Sequence, residues 1–200
     1  MLDKIPVEFW TSIKKVFEPC AGKGGFIIDI IDRFMNGLEK TIPDEKERYR
    51  TIVEECLYFS DINSTNIFIC KLLIDPYNEY KLNYNEGNTL ELDIKEKWDI
   101  VGFDAVIGNP PYQNTNNNKG SGNTLWNLFV EKSLNVWLIL FIIGFPPVFP
   151  ALPLSSSNED FAPDLSFIKL LTVAKSSFCI FIKSNDVLEP VQYSFISRSH

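Results

Sequence analysis

An apolar run led by an acid, Phe103-Asp-Ala-Val-Ile-Gly, breaks off in Asn109-Pro110-Pro111-Tyr112. Proline has no backbone N–H and a fixed φ, so two in succession forbid both helix continuation and ladder pairing. Val106 and Ile107 therefore read as the end of a buried strand, and Asn109 to Tyr112 as a rigid loop at its carboxyl end. In open α/β sheets ligands bind at that edge. The loop offers an amide, carbonyls with no prolyl N–H to compete for them, and an aromatic ring. Those groups suit a flat polar ring.

A second stretch has the same strand-then-loop grammar. Val16-Phe17 enters Glu18-Pro19-Cys20-Ala21-Gly22-Lys23-Gly24-Gly25-Phe26, after which Phe26 to Leu38 has the apolar spacing of a helix (Ile27, Ile30, Ile31, Phe34). Strand, glycine loop and helix open a nucleotide-type βαβ unit. The glycines let the backbone pass close to a ligand, and the helix start offers N–H groups. A tight turn without a ligand explains such a loop as well. Glu18 sharpens the reading, because an acid there repels a diphosphate and suits a cation such as the amino group of an amino-acid moiety.

The rest of the first half alternates. Val7 to Lys15 is expected as a short helix, and a charged helix over Glu45 to Glu55 follows Thr41-Ile-Pro-Asp. Leu57 to Ser60 reads as strand two, closing on Asp61, and a helix from about Ser64 to Leu73 is stopped by Asp75-Pro76. Tyr80 to Tyr84 reads as a weaker third strand, with Glu86 to Leu90 as the loop behind it and Lys95 to Gly102 as a charged connector. This order implies an α/β fold with a mostly parallel, helix-covered sheet. Asp61 is placed for ribose hydroxyls and also as a helix N-cap, and both can hold at once. Asn88 is placed for an adenine edge or for a plain Gly-Asn turn.

Beyond Tyr112 the texture changes. Gln113 to Asn123 is a loop by composition, and Thr124 to Val136 is expected as an amphipathic helix. Leu134 to Asn158 carries no charge and is interrupted by Pro146, Pro147, Pro150 and Pro153. Its unbroken apolar part, Val136 to Phe145, falls well short of the ~20 residues of a spanning helix. A buried strand over Leu138 to Ile143 and an irregular tail are expected instead, with no membrane partner.

Composition excludes several chemistries. His200 is the one histidine, and Cys20, Cys56, Cys70 and Cys179 make no C-x-x-C, so neither a zinc cluster nor a His-based triad is expected, and no metal. The start, Met1-Leu-Asp-Lys-Ile-Pro, lacks the apolar core of a signal peptide, which points to a cytoplasmic, intracellular protein with reduced thiols. The net charge of −7 is wrong for a self-sufficient nucleic-acid binder.

Glu18-Pro-x-x-Gly-x-Gly-x-Phe26, Asp61, Gly87-Asn88-Thr-Leu90 and Asn109-Pro-Pro-Tyr112, in that order, resemble the S-adenosylmethionine-dependent N6-adenine DNA methyltransferases. The likeness is to the gamma class of Type II restriction–modification enzymes, over about Met1 to Asn135. The glycine motif precedes Asn109 by fewer than about a hundred residues, too few for an inserted recognition domain of ordinary size. The resemblance implies a Rossmann-like methyltransferase fold and S-adenosyl-L-methionine as cofactor. Glu18, Pro19, Gly22, Gly24 and Phe26 would line its methionine end, Asp61 its ribose and Asn88, where the family usually has Asp, its adenine. Double-stranded DNA would be the partner, with a flipped adenine stacked on Tyr112 and its amino group held by Asn109 and the Pro110 carbonyl, Pro111 completing the loop. Methylation of a protein glutamine or an rRNA base is the alternative enzyme reading, and an inactive cofactor-binding remnant the alternative to an enzyme.

The resemblance stops at about Trp137. It implies a catalytic core over residues 1–137 and a divergent segment over 138–200, with the sheet incomplete on its carboxyl side. An amino-terminal Thr-Pro cofactor motif is also missing ahead of Met1. A truncated or frame-altered chain is therefore expected, with a recognition or nuclease module absent.

Overall fold

Four short parallel strands set the frame. β1 (Val16–Glu18) runs between β2 (Leu57–Asp61) and β4 (Phe103–Gly108), parallel to both, and β3 (Asn83–Glu86) lies parallel outside β2. The computed structural model describes residues 2–111, helical positions 128, 129 and 132, and three further strands. These are β5 (Trp137–Ile143), β6 (Ile168–Thr172) and β7 (Phe178–Lys183). The sheet has seven strands in the order β3-β2-β1-β4-β5-β7-β6. β5 is parallel to β4, and β7 runs antiparallel between β5 and β6. The result is a Rossmann-like α/β sheet. After β3 the chain crosses back to place β4 on the other side of β1, so the strand order reverses between β1 and β4, where such sheets bind ligands.

Helices cover both faces. α1 (Gly25–Gly37) buries Ile27, Ile30, Ile31 and Phe34, the i, i+3, i+4, i+7 stripe of an amphipathic helix. That stripe packs with Val16, Leu57, Phe59, Ala105 and Ile107 of the sheet. Trp10 meets Phe34 edge-on at 5.0 Å. Strand alternation turns Phe17 and Tyr58 to the opposite face. There they gather with Phe103 around Trp98, the last residue of α4 (Ile94–Trp98), and Phe17 stacks on Phe103 at 4.7 Å.

Boundaries differ from the sequence reading where side chains bond the backbone. The expected Val7–Lys15 helix is a single 3₁₀ turn, Val7–Thr11, because the Lys15 carbonyl is taken by the N–H groups of Asp104 and Ala105. The second helix splits into α2 (Glu45–Thr51), capped by Asp44, and a π-helical turn, Ile52–Cys56. The third strand begins at Asn83 rather than Tyr80. The Asp75 carboxylate holds the N–H groups of Glu79 and Tyr80, and the Asn83 amide donates to the carbonyls of Glu54 and Leu57. The charged connector contains α4, because Asp93 caps the N–H groups of Lys95 and Glu96. α3 (Ser64–Ile74) falls where expected.

The expected pairing of Leu138–Ile143 beside β4 is present, with Ala105 opposite Ile139 and Val106 opposite Leu140. Where the sequence reading found one strand beyond residue 137, the described residues hold three, so β4 is an interior strand. The expected helix over Thr124 to Val136 lies outside the described residues except at its three helical positions. Among the described residues no helix is long and apolar enough to cross a membrane.

Candidate functional site

β1 delivers Glu18 to the carboxyl edge of the sheet, and the chain turns at once through Pro19 to Gly24. Gly22 has φ +54° and Gly24 φ +83°, values that a side chain strains to adopt. Gly24 also sits close against α3, where an added Cβ would lie 3.3 Å from Leu73 Cδ1 and 3.4 Å from Cys70 Sγ. β2 holds this loop from the side. The Ser60 carbonyl accepts from the Ala21 N–H (2.9 Å), and Asp61 Oδ2 accepts from the Gly22 N–H (2.8 Å).

Asp61 does more than end its strand. Its Oδ1 accepts from the Asn63 N–H (2.8 Å), and its carbonyl accepts from the Gly87 N–H (3.0 Å) behind β3. The cap of α3 is Asn63, whose side chain accepts from the Thr65 N–H, so the N-cap reading of Asp61 does not hold. Each Asp61 oxygen takes one backbone N–H, which leaves it further acceptor capacity.

Glu18 is in a different state. It is 1% exposed, and its Oε2 has no hydrogen-bond partner among the described residues. Burial, and then the charge of Asp61, raise its carboxyl well above the ordinary carboxylate range. A buried acid with an unfilled oxygen is costly for the fold, and a bound cation would satisfy it. The nearby thiols are no nucleophiles. Burial, with the charges of Asp61 and Glu18 behind it, pushes Cys20 far up, and Cys70, which donates to the Gly22 carbonyl at 3.5 Å, is pushed to about 12. Among the described residues no group of acids, cysteines and histidine is arranged to hold a metal ion.

β4 brings the second loop to the same edge. Asn109 is exposed, Pro110 buried and Pro111 exposed. Tyr112 lies outside the described residues. Gly108, just before them, makes the closest approach in the site. A Cβ added there would lie 2.9 Å from Pro19 Cδ and 3.1 Å from Cγ. The ring of Pro19 thus rests on the backbone that leads into Asn109, and the two loops meet. Phe26 stands near the start of α1 and packs partly buried against the core. Asn88 takes the turn role, its Oδ1 accepting from the Leu90 N–H (3.1 Å) while its Nδ2 donates to Glu91 Oε1 (2.6 Å).

Three residues here escaped the sequence reading. Gly108 carried a signal, a glycine directly before Asn-Pro-Pro. Ser60 and Thr89 carried none, because their importance lies in bonds to residues remote in the chain. Thr89 Oγ1 bonds the Pro19 carbonyl at 2.7 Å and the Ser60 hydroxyl at 2.7 Å.

Residues 52–139 match the family model described as Eco57I restriction-modification methylase. That segment runs from the π-helical turn through β4 and into β5, and the glycine loop joins it through the fold. No curated protein matches the chain. Among solved structures, one from work on complex assembly and conformational transition of the type I restriction–modification system aligns at TM-score 0.57 and 17% identity, over 88% of this chain and 40% of that one. The M protein of the type I restriction enzyme EcoKI aligns at TM-score 0.48 and 14% identity, over 72% and 35%. A modification subunit from Vibrio vulnificus aligns at TM-score 0.42 and 16% identity, over 68% and 33%. The chain thus spans at most 40% of the length of these three structures. Over residues 52–139, on a Rossmann-like methyltransferase fold, this chain resembles the restriction–modification methylases of the Eco57I family.

Proposed function

We propose that this chain carries the methyl-transfer core of a DNA adenine-N6 methyltransferase of a restriction–modification system, with S-adenosylmethionine as donor. The observation that carries the reading is the meeting of the two loops. Glu18, buried and with one oxygen lacking a partner among the described residues, stands on one side of Pro19, and Asn109-Pro110 follows the Gly108 on which the Pro19 ring rests.

The residues present fit that cofactor. Glu18 would accept from its amino group, with Gly22 and Gly24 giving the backbone room and Phe26 and Pro19 beside them. Asp61 would accept from its ribose hydroxyls through the lone pairs left to it. Asn88, committed to its own turn, would contribute to the adenine side through that turn's backbone. When bound, S-adenosylmethionine supplies an electrophilic methyl group on a sulfonium.

The exocyclic nitrogen of adenine is a poor nucleophile because its lone pair is delocalised into the ring. A base flipped from the duplex would present its amino hydrogens to the Asn109 side-chain oxygen and the Pro110 carbonyl. Two fixed acceptors favour a more tetrahedral nitrogen and aim its lone pair along one direction. Alignment and preorganised dipoles then supply the rate, and the proton that the methylated nitrogen must lose would pass to water. Tyr112, by the family resemblance, would stack on the base. With a net charge of −7, we take the basic surface that holds DNA to come from a separate recognition module or subunit.

The test is methyl transfer from labelled S-adenosylmethionine to unmethylated duplex DNA, with N6-methyladenine identified in the digest. Label on a release-factor-type protein or on rRNA instead would replace the DNA reading. Tight cofactor binding with no acceptor labelled, alone or with a separate recognition subunit, would reduce the chain to a cofactor-binding protein.

A further inference from the structure

A hydrogen-bond chain, buried at Ser60 and Thr89 and half-buried at Asn85, joins the three strand tips, and its polarity follows from donor bookkeeping. The Pro19 carbonyl can only accept, so the hydroxyl of Thr89 spends its hydrogen there, at 2.7 Å. The Ser60 hydroxyl must then donate to Thr89 Oγ1, also at 2.7 Å. Ser60 Oγ in turn accepts from Asn85 Nδ2 at 3.1 Å. The relay runs one way: Asn85 of β3 to Ser60 of β2 to Thr89 to Pro19 of the glycine loop. Ser60 and Thr89 are both buried, so water does not stand in for a missing member.

Pro19 is where this relay meets the second loop. Its carbonyl is held by Thr89, its ring rests on Gly108, and its amide is joined to Glu18. If the Pro19–Cys20 peptide were released from Thr89 and turned, it would shift Pro19, the residue bonded to Glu18 on one side and resting by its ring on Gly108 on the other. We propose that Thr89 is a positioning residue of the site. Through Pro19 it sets the spacing between the carboxyl that receives the cofactor's amino group and the loop that receives the target base. This rests on the function proposed above.

The experiment compares Thr89→Val, which keeps the shape and removes the hydroxyl, with Thr89→Ser, which keeps the hydroxyl. Calorimetric titration of the wild-type chain with S-adenosylmethionine tests the function itself. Against that baseline, Thr89→Val is expected to weaken binding about tenfold, the loss of one buried bond with its partner left unfilled, and Thr89→Ser to return most of it. Hydrogen exchange at Ala21 and Gly22, without cofactor, is expected to speed up in Thr89→Val and return in Thr89→Ser. Faster exchange with unchanged binding overturns the positioning role, because Thr89 then only stabilises the loop. Unchanged exchange overturns it whether or not the wild-type chain binds cofactor. An equal loss in Thr89→Ser also overturns it, since the hydroxyl would then not be the acting group.

Discussion

The two ends of β1 and β4 each carry a carboxylate, and they treat it in opposite ways. At the amino ends, Asp104 Oδ2 accepts from the Lys15 N–H at 2.7 Å and Oδ1 faces Lys14 Nζ at 3.4 Å. The Lys15 carbonyl accepts from the N–H groups of Asp104 and Ala105 in return. At the carboxyl ends, Glu18 is buried with one oxygen that finds no partner among the described residues, beside a loop with two glycines in the left-handed region. One end locks the register of the two strands. The other holds a cost in reserve that a ligand can relieve. On that reading, stability and the proposed function occupy opposite edges of the same sheet.

The largest effect is expected from Asn109→Ala. If the loop binds the target base as proposed, removing one acceptor from it should lower the methyl-transfer rate roughly 10²–10³-fold. Cofactor affinity should stay as in the wild type, since Glu18 and Asp61 lie on other strands. A matching loss of cofactor affinity by calorimetry would mean that the two loops do not divide their tasks.

Glu18→Gln comes next and should move stability and binding in opposite directions. Loss of the charged partner should weaken S-adenosylmethionine binding roughly 10–100-fold, the range for hydrogen bonds to charged groups. The folded Glu18 carboxyl lies well above its ordinary value of 4.5. As pH rises from there, the unfolded chain releases this proton first, so wild-type stability falls up to the folded value and is level beyond it. The variant should lack that fall, melting higher than the wild type near neutral pH and alongside it in mild acid. Cofactor affinity of the wild type should rise with pH across the same window, with proton release. A pH-independent melting difference would show that Glu18 is already ionised and partnered in the free protein.

What was legible in the sequence follows from the range over which each signal acts. The places of Glu18, the glycines and Asn109-Pro110 at strand ends and in loops were readable because a strand end, a positive φ and a missing N–H are local properties of the chain. The parallel half of the sheet was readable for the same reason, from alternating apolar runs and caps. The role of Thr89 was not, because it bonds across 70 residues to Pro19 and 29 to Ser60. β6 and β7 were hidden likewise. Each is a short apolar patch, and only the pairing of β7 with the distant β5 and of β6 with β7 identifies the strands. Asn88 shows the reverse case, since a local Gly-Asn turn explained it as well as an adenine contact did, and its side chain serves the turn.

Asp104→Ala tests the locked end and should cost about 1–3 kcal/mol, the range for leaving the Lys15 N–H without its acceptor. Urea midpoints would read the loss, and cofactor affinity should hold. Lys14→Ala, at the same end, should cost least. The Lys14 and Asp104 side chains are 38% and 30% exposed, so solvent screens their pairing and about 0–1 kcal/mol is at stake. The comparison of these two variants separates the backbone bond to Asp104 from its ion pair. Equal losses would make the salt bridge the lock. A loss confined to Asp104→Ala would leave the backbone bond as what sets the register, and with it the level at which β1 delivers Glu18 and β4 delivers Asn109.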